Sequence, residues 1–178
     1  LLVSGSQKRS TLDSKSALSF LKDNLLFSNR DFYLGVAFNP YLPEFLFENE
    51  IEKLEKKLKY GQVRSIWFQF GTNYKLLKSR FNLIKKIIES VEKENSRGLN
   101  INFFGSILIP SKQFLSRFKY RPWKGVYCSE EFLQSVDFAQ SEIVNILRTY
   151  KKFKINPIIE TDVSTEKKLN ILKHILKS

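Results

Sequence analysis

The 178-residue chain has no methionine, one cysteine and one histidine, and these shortages exclude much. A single Cys128 cannot build a disulfide framework or a cysteine cluster for zinc. Followed by Ser129, Glu130 and Glu131 and with no histidine near it in sequence, it also lacks the setting of a nucleophile. His174 alone makes no metal site and leaves no complete Ser/His/Asp set. No apolar run approaches the roughly 20 residues of a membrane span. The opening LLVSGSQKRS lacks the basic-then-apolar order of a signal peptide, so a cytoplasmic chain away from membranes is expected. No glycine-rich phosphate fingerprint follows the first predicted strand, which weakens a nucleotide-binding Rossmann reading. The missing methionine, with two opening leucines that read as the middle of a buried strand, predicts that further residues precede Leu1 in the natural protein.

What is present is 42% hydrophobic and 27% charged residues, the balance of one globular domain. Thirty basic against eighteen acidic residues leave a formal charge of +12. Such an excess can mark a nucleic-acid partner, attraction to an acidic small ligand, or simply lysine-rich solvated helices, the commonest case.

Apolar patterning predicts strands at residues 1–4, 31–38, 64–70, 101–109 and 155–160. Between them lie helical patterns: residues 14–26 behind a Ser14 cap, then a helix with Phe47, Ile51, Leu54 and Leu58 on one stripe and Gly61 as its stop. Residues 73–93 carry the stripe Leu77, Phe81, Ile84, Ile88 and Val91, with the turn at Gly98. A short helix follows Ser111, and Ser129 caps one running to about residue 152 with Phe132, Val136, Ala139, Ile143 and Leu147 on its buried side. A last helix presents Leu169, Leu172 and Leu176. This alternation implies parallel strands joined by right-handed crossovers, which an open doubly wound sheet and part of a barrel both satisfy. In residues 64–70, strand alternation puts Ile66, Phe68 and Phe70 on one face and Ser65, Trp67 and Gln69 on the other. Gln69 then stands at the carboxyl end of its strand, where barrel enzymes build their sites, and a buried amide there needs a hydrogen bond from a neighbour or a ligand.

Several segments, taken in order, resemble one family. LVSGS stands where that family has Leu-Arg-Gly-Asp, GVAFNPYLPE where it has Val-Ala-x-Tyr-Pro, LEKKLKYG where it has Leu-Lys-x-Lys-x-x-x-Gly, and FQF where it has Thr-Gln-Phe-Phe. GSILIP resembles Gly-Ile-x-Pro, and PIIETDVS occupies the place of Phe-Tyr-Thr-Leu-Asn. In this order and spacing the chain resembles methylenetetrahydrofolate reductase. The resemblance implies a parallel, TIM-like β/α barrel represented by its five carboxyl-terminal strands in one domain, residues 1–178. It implies an FAD-dependent oxidoreductase of one-carbon metabolism that takes hydride from NAD(P)H and reduces methylenetetrahydrofolate to methyltetrahydrofolate. Carried over by position, flavin contacts fall on Ser4, Gly5, Ser6, Ala37, Asn39, Glu50 and Lys57, and the folate contact on Gln69. The sequence also departs from the pattern. Ser4 and Ser6 replace Arg and Asp, Asn39 replaces a tyrosine, and Glu160 and Val163 replace a tyrosine and an asparagine. The family's catalytic acid lies on its first strand, so no catalytic residue is assigned here.

Other readings stay open at this point. Lys57 sits among Lys53, Glu55, Lys56 and Lys59, as on a solvated helix face, Glu50 can be an ordinary acid near a helix start, and Gln134 reads as a surface helix residue. The KYRPWK segment, residues 119–124, interleaves bases with Tyr120 and Trp123, which suits stacking on a planar ligand or a tryptophan anchored on the core. The alternatives to the reductase are a barrel paralogue with altered chemistry and a basic nucleic-acid-binding module, the less favoured partner class. An incomplete barrel exposes strand edges and an apolar inner face, so self-association is expected.

Overall fold

The computed structural model describes residues 14–23, 33–160 and 165–177. Within them, four strands and seven helices follow one another as α1 (Ser14–Asp23), β1 (Leu34–Phe38), α2 (Glu44–Leu58), β2 (Val63–Phe68), α3 (Tyr74–Asn95), β3 (Asn102–Leu108), α4 (Lys112–Tyr120), α5 (Glu130–Gln134), α6 (Val136–Phe153), β4 (Ile155–Glu160) and α7 (Glu166–Lys177). The strands form one all-parallel sheet in sequence order, β1-β2-β3-β4. The strand expected at residues 1–4 lies outside the described residues.

Capping chemistry starts most of the helices. Asn73, Ser111, Ser129 and Ser135 each accept a hydrogen bond from the backbone N–H three residues on, at Leu76, Phe114, Phe132 and Phe138. Gly61, at φ +72°, turns the chain after α2, a conformation that costs glycine nothing. After α3 the left-handed residues are Ser96 and Asn100 rather than Gly98, and Glu92 holds that turn by accepting from Leu99 N at 2.7 Å.

The helix expected from Ser129 to residue 152 is two helices. Ser135 is extended at φ −153°, ψ 169°, and its hydroxyl caps α6, because a serine side chain competes for backbone N–H groups that an unbroken helix would use. The stripe of α7 also differs from expectation. Leu169 and Leu176 are exposed, and Ile175 is the buried residue.

The main helix of each crossover, α2, α3 and α6, lies on the same face of the sheet. Phe38 packs on Phe47 of α2 and Phe68 on Phe81 of α3, both edge to face at 6.1 Å, and Phe81 reaches Phe103 of β3 and Phe153 of α6. Such edge-to-face rings add to what their buried area already contributes. Gly105 of β3 leaves room for Tyr150 of α6, whose ring a Cβ would strike, and Gly71 does the same for Tyr41. The other face carries Ala37, Trp67, Phe104, Ser106 and Ile158, all half-buried. There Trp67 and Phe104 stack at 4.3 Å and 17°, and the indole N–H donates to Ser65 Oγ at 2.9 Å.

Gly105→Ala is expected to lower stability by about 1–3 kcal/mol, the usual cost of overpacking a filled site, because both backbone and aromatic ring are held. Urea unfolding of the variant beside the parent checks this. An unchanged midpoint would mean that the Tyr150 ring has room to move.

Candidate functional site at the carboxyl edge of the sheet

The carboxyl end of β1 runs directly into a hydrogen-bonded junction. Asn39 Nδ2 donates to the Gly125 carbonyl at 2.8 Å, its Oδ1 accepts from Tyr41 N at 3.0 Å, and its own N–H donates to Glu50 Oε1 at 3.2 Å. One residue thus joins the β1–α2 loop, the second turn of α2 and the loop after α4. The end of β2 is tied to the same region, since Gln69 N donates to the Phe38 carbonyl at 2.9 Å. Beyond it, Thr72 donates its N–H to the Tyr127 carbonyl and accepts from Ser129 N at 2.6 Å, which fixes the start of α5 against β2.

Arg80 of α3 holds the β1–α2 loop from beneath. Its guanidinium is buried, donating to the carbonyls of Pro40 at 2.8 Å and Leu42 at 2.6 Å and pairing with Glu44 at 2.6 Å. It lies 3.7 Å above the Phe47 ring. The fork of a guanidinium suits this task, because it reaches several acceptors from one rigid plane. The Glu44 side chain is largely exposed, so the two carbonyls contribute more than the ion pair does.

Two tyrosines close the helix side of this edge. Burial, and secondarily the neighbouring Tyr150, hold the Tyr41 hydroxyl well above its ordinary pKa. Tyr41 Oη makes no hydrogen bond of sound geometry despite that neighbour, whereas Tyr150 Oη donates to the Ser106 carbonyl at 3.2 Å. Burial also pushes the Cys128 thiol up to about 12. A thiol so raised stays protonated at neutral pH, in keeping with an inert cysteine. Among the described residues no group of three or more His, Cys, Asp and Glu is placed to hold a metal ion, and no helix is long and apolar enough to cross a membrane.

Of the residues singled out from sequence, Ala37, Asn39, Glu50 and Gln69 come together at this edge. Ala37 pairs with Trp67 across β1 and β2, and alternation puts Gln69 on the same open face as Trp67. Gln69 was expected to be a buried amide. It is exposed, one residue past the end of β2, so its side chain is open to solvent rather than locked in the sheet. Asn39 and Glu50 have polar atoms already engaged with the protein itself. Lys57 is buried rather than on a solvated face of α2. It lies 13 residues beyond Glu44, about 20 Å along the helix axis, and therefore toward the amino end of the sheet. Gln134 is exposed, as a surface residue should be. Ser4, Gly5 and Ser6 lie outside the described residues.

Sequence reasoning missed Arg80, Tyr41 and Thr72. The signal for Arg80 was available. It falls three residues after Leu77 and four before Ile84, within the apolar stripe of α3, and a cation at such a position must find buried acceptors.

No protein-family model matches the chain, and no curated protein matches it in sequence. The likeness to methylenetetrahydrofolate reductase rests on the motifs quoted above.

Arg80→Met should cost at least about 2 kcal/mol, because the Pro40 and Leu42 carbonyls lose their donors while the exposed Glu44 is readily solvated. Arg80→Lys should recover only part, since one ammonium cannot reproduce the fork. Urea midpoints of the three proteins decide this, and a methionine variant within about 0.5 kcal/mol of the parent, the range of an ordinary surface change, would rule out the clamp.

Proposed function

We propose that the chain belongs to a β/α barrel that binds a flavin and a folate in the manner of methylenetetrahydrofolate reductase. The observation that carries this reading is the one-sided architecture. Four parallel strands run in sequence order with α2, α3 and α6 on one face, and polar residues gather at the carboxyl ends beside the open face. A doubly wound sheet would instead reverse its strand order at a switch point and carry helices on both faces.

The residues at this edge suit a planar heterocycle. Ala37 is small, the Trp67–Phe104 stack offers a flat apolar surface, and Gln69 presents an amide with two donors and an acceptor to solvent. The cofactor, when bound, supplies the hydride chemistry between NAD(P)H and methylenetetrahydrofolate. The chain's own contribution is positional. Asn39 keeps the β1–α2 loop and the Gly125 turn in fixed relation, Arg80 holds that loop from below, and Gln69 hydrogen-bonds the folate. The net charge of +12 favours approach of the cofactor's pyrophosphate and the acidic folate tail.

A purified protein carrying flavin absorbance, or one that takes up FAD in titration, is the expected result. Gln69→Leu should weaken reduced-folate binding by about 1–3 kcal/mol, the cost of leaving a polar partner unpaired, and leave FAD binding unchanged. Failure to bind either ligand would remove the reductase reading and leave only the parallel α/β architecture.

A further inference from the structure

Residues 109–129, between β3 and α5, contain five cations and no carboxylate: Lys112, Arg117, Lys119, Arg121 and Lys124. All five are exposed, and among the described residues none makes an ion pair. Two rings stand among them. Tyr120, at the end of α4, is 92% exposed, so the core gains nothing from it. Trp123 is half-exposed, with its inner edge fixed against Phe114 and Phe118 at 5.4 and 6.3 Å. Beside it, a cavity of about 330 Å³ is walled by Phe114, Phe118 and Trp123 and also lined by Gln113, Arg117 and Glu160.

We propose that this segment is a binding surface for single-stranded nucleic acid, with Tyr120 and Trp123 as base-stacking platforms and the five cations along the phosphate backbone. The inference does not depend on the flavin reading. Single strands without a fixed sequence are held by this pair of features, a cationic track and aromatic faces on which successive bases stack. Cations alone would fit any polyanion, but a 92% exposed tyrosine in a run of bases has a use when planar groups must be met. An anionic membrane surface is the competing class. Entry into a bilayer interface needs an apolar face turned outward, and here Leu115 and Phe118 are turned inward and buried.

The test is fluorescence anisotropy of the full chain with a labelled 12-mer of oligouridylate, with the same-length duplex and with phosphatidylserine vesicles as comparisons. Binding should be tighter for the single strand than for the duplex. Contact with four phosphates gives a log–log salt slope of about −2.8, or about 50-fold weaker binding at 200 mM than at 50 mM salt. Tyr120→Ala should weaken binding about 5- to 160-fold, and it removes no core contact, so misfolding cannot mimic the loss. Replacing Arg117, Lys119, Arg121 and Lys124 by Gln should flatten the salt slope, whereas Lys53→Gln with Lys56→Gln on the far side of α2 should not. Absence of single-strand binding, equal loss in the α2 control, an unaffected Tyr120→Ala variant, or vesicle binding that the oligonucleotide does not compete would each overturn the proposal.

Discussion

The crossover rule governs this structure. A right-twisted strand leading through a helix to the next parallel strand returns on one side of the sheet, and when strands are added in sequence order every helix returns on that same side. The four strands follow that order without a reversal, so α2, α3 and α6 share one face and their aromatic residues merge into a single core. The opposite face receives none of these helices, and the carboxyl ends of the strands become the place where loops from successive units meet. The junctions at Asn39, Arg80 and Thr72 are consequences of that meeting. Each satisfies backbone groups that tightly packed loops would otherwise bury without partners.

This edge is tied by polar contacts as well as by the buried Tyr41 ring. The β1–α2 loop is held on one side by Asn39, whose amide spans to Gly125, and on the other by the Arg80 guanidinium. Both side chains bond backbone atoms, Asn39 from the first position of the loop and Arg80 from α3. Ala37, Trp67 and Phe104 stay half-buried on the open face, with Gln69 exposed beside them. The 109–129 segment adds a second surface of different character, cationic and aromatic, whose Gly125 is anchored by the same Asn39.

Much of the fold was legible in the sequence. Period-two apolar runs flanked by amphipathic helices identify the strands at 34–38, 63–68, 102–108 and 155–160 within three residues, and the expected alternation at Ile66, Phe68 and Phe70 is the observed one. Tertiary context decided the rest. Ser135 reads as an ordinary helix residue until its hydroxyl is seen capping α6, and the terminal helix turned on Ile175 because its three leucines were not all facing the neighbour. Gln69 looked buried because its sequence neighbours are apolar, yet a residue beyond a strand's end is governed by what lies across the open face. Which polar atoms are used inside the fold, as at Asn39 and Glu50, depends on partners 11 and 86 residues away, and no local pattern reports them.

On the flavin reading proposed above, the carboxyl edge and the open face beside it form the ligand-binding side of the chain. Backbone hydrogen exchange with and without FAD measures this directly. Slower exchange at residues 36–39 and 69–73, with no change along the outward surface of α2 and α3, is the predicted result. Protection confined to the amino ends of the strands, or none anywhere at saturating FAD, would contradict it.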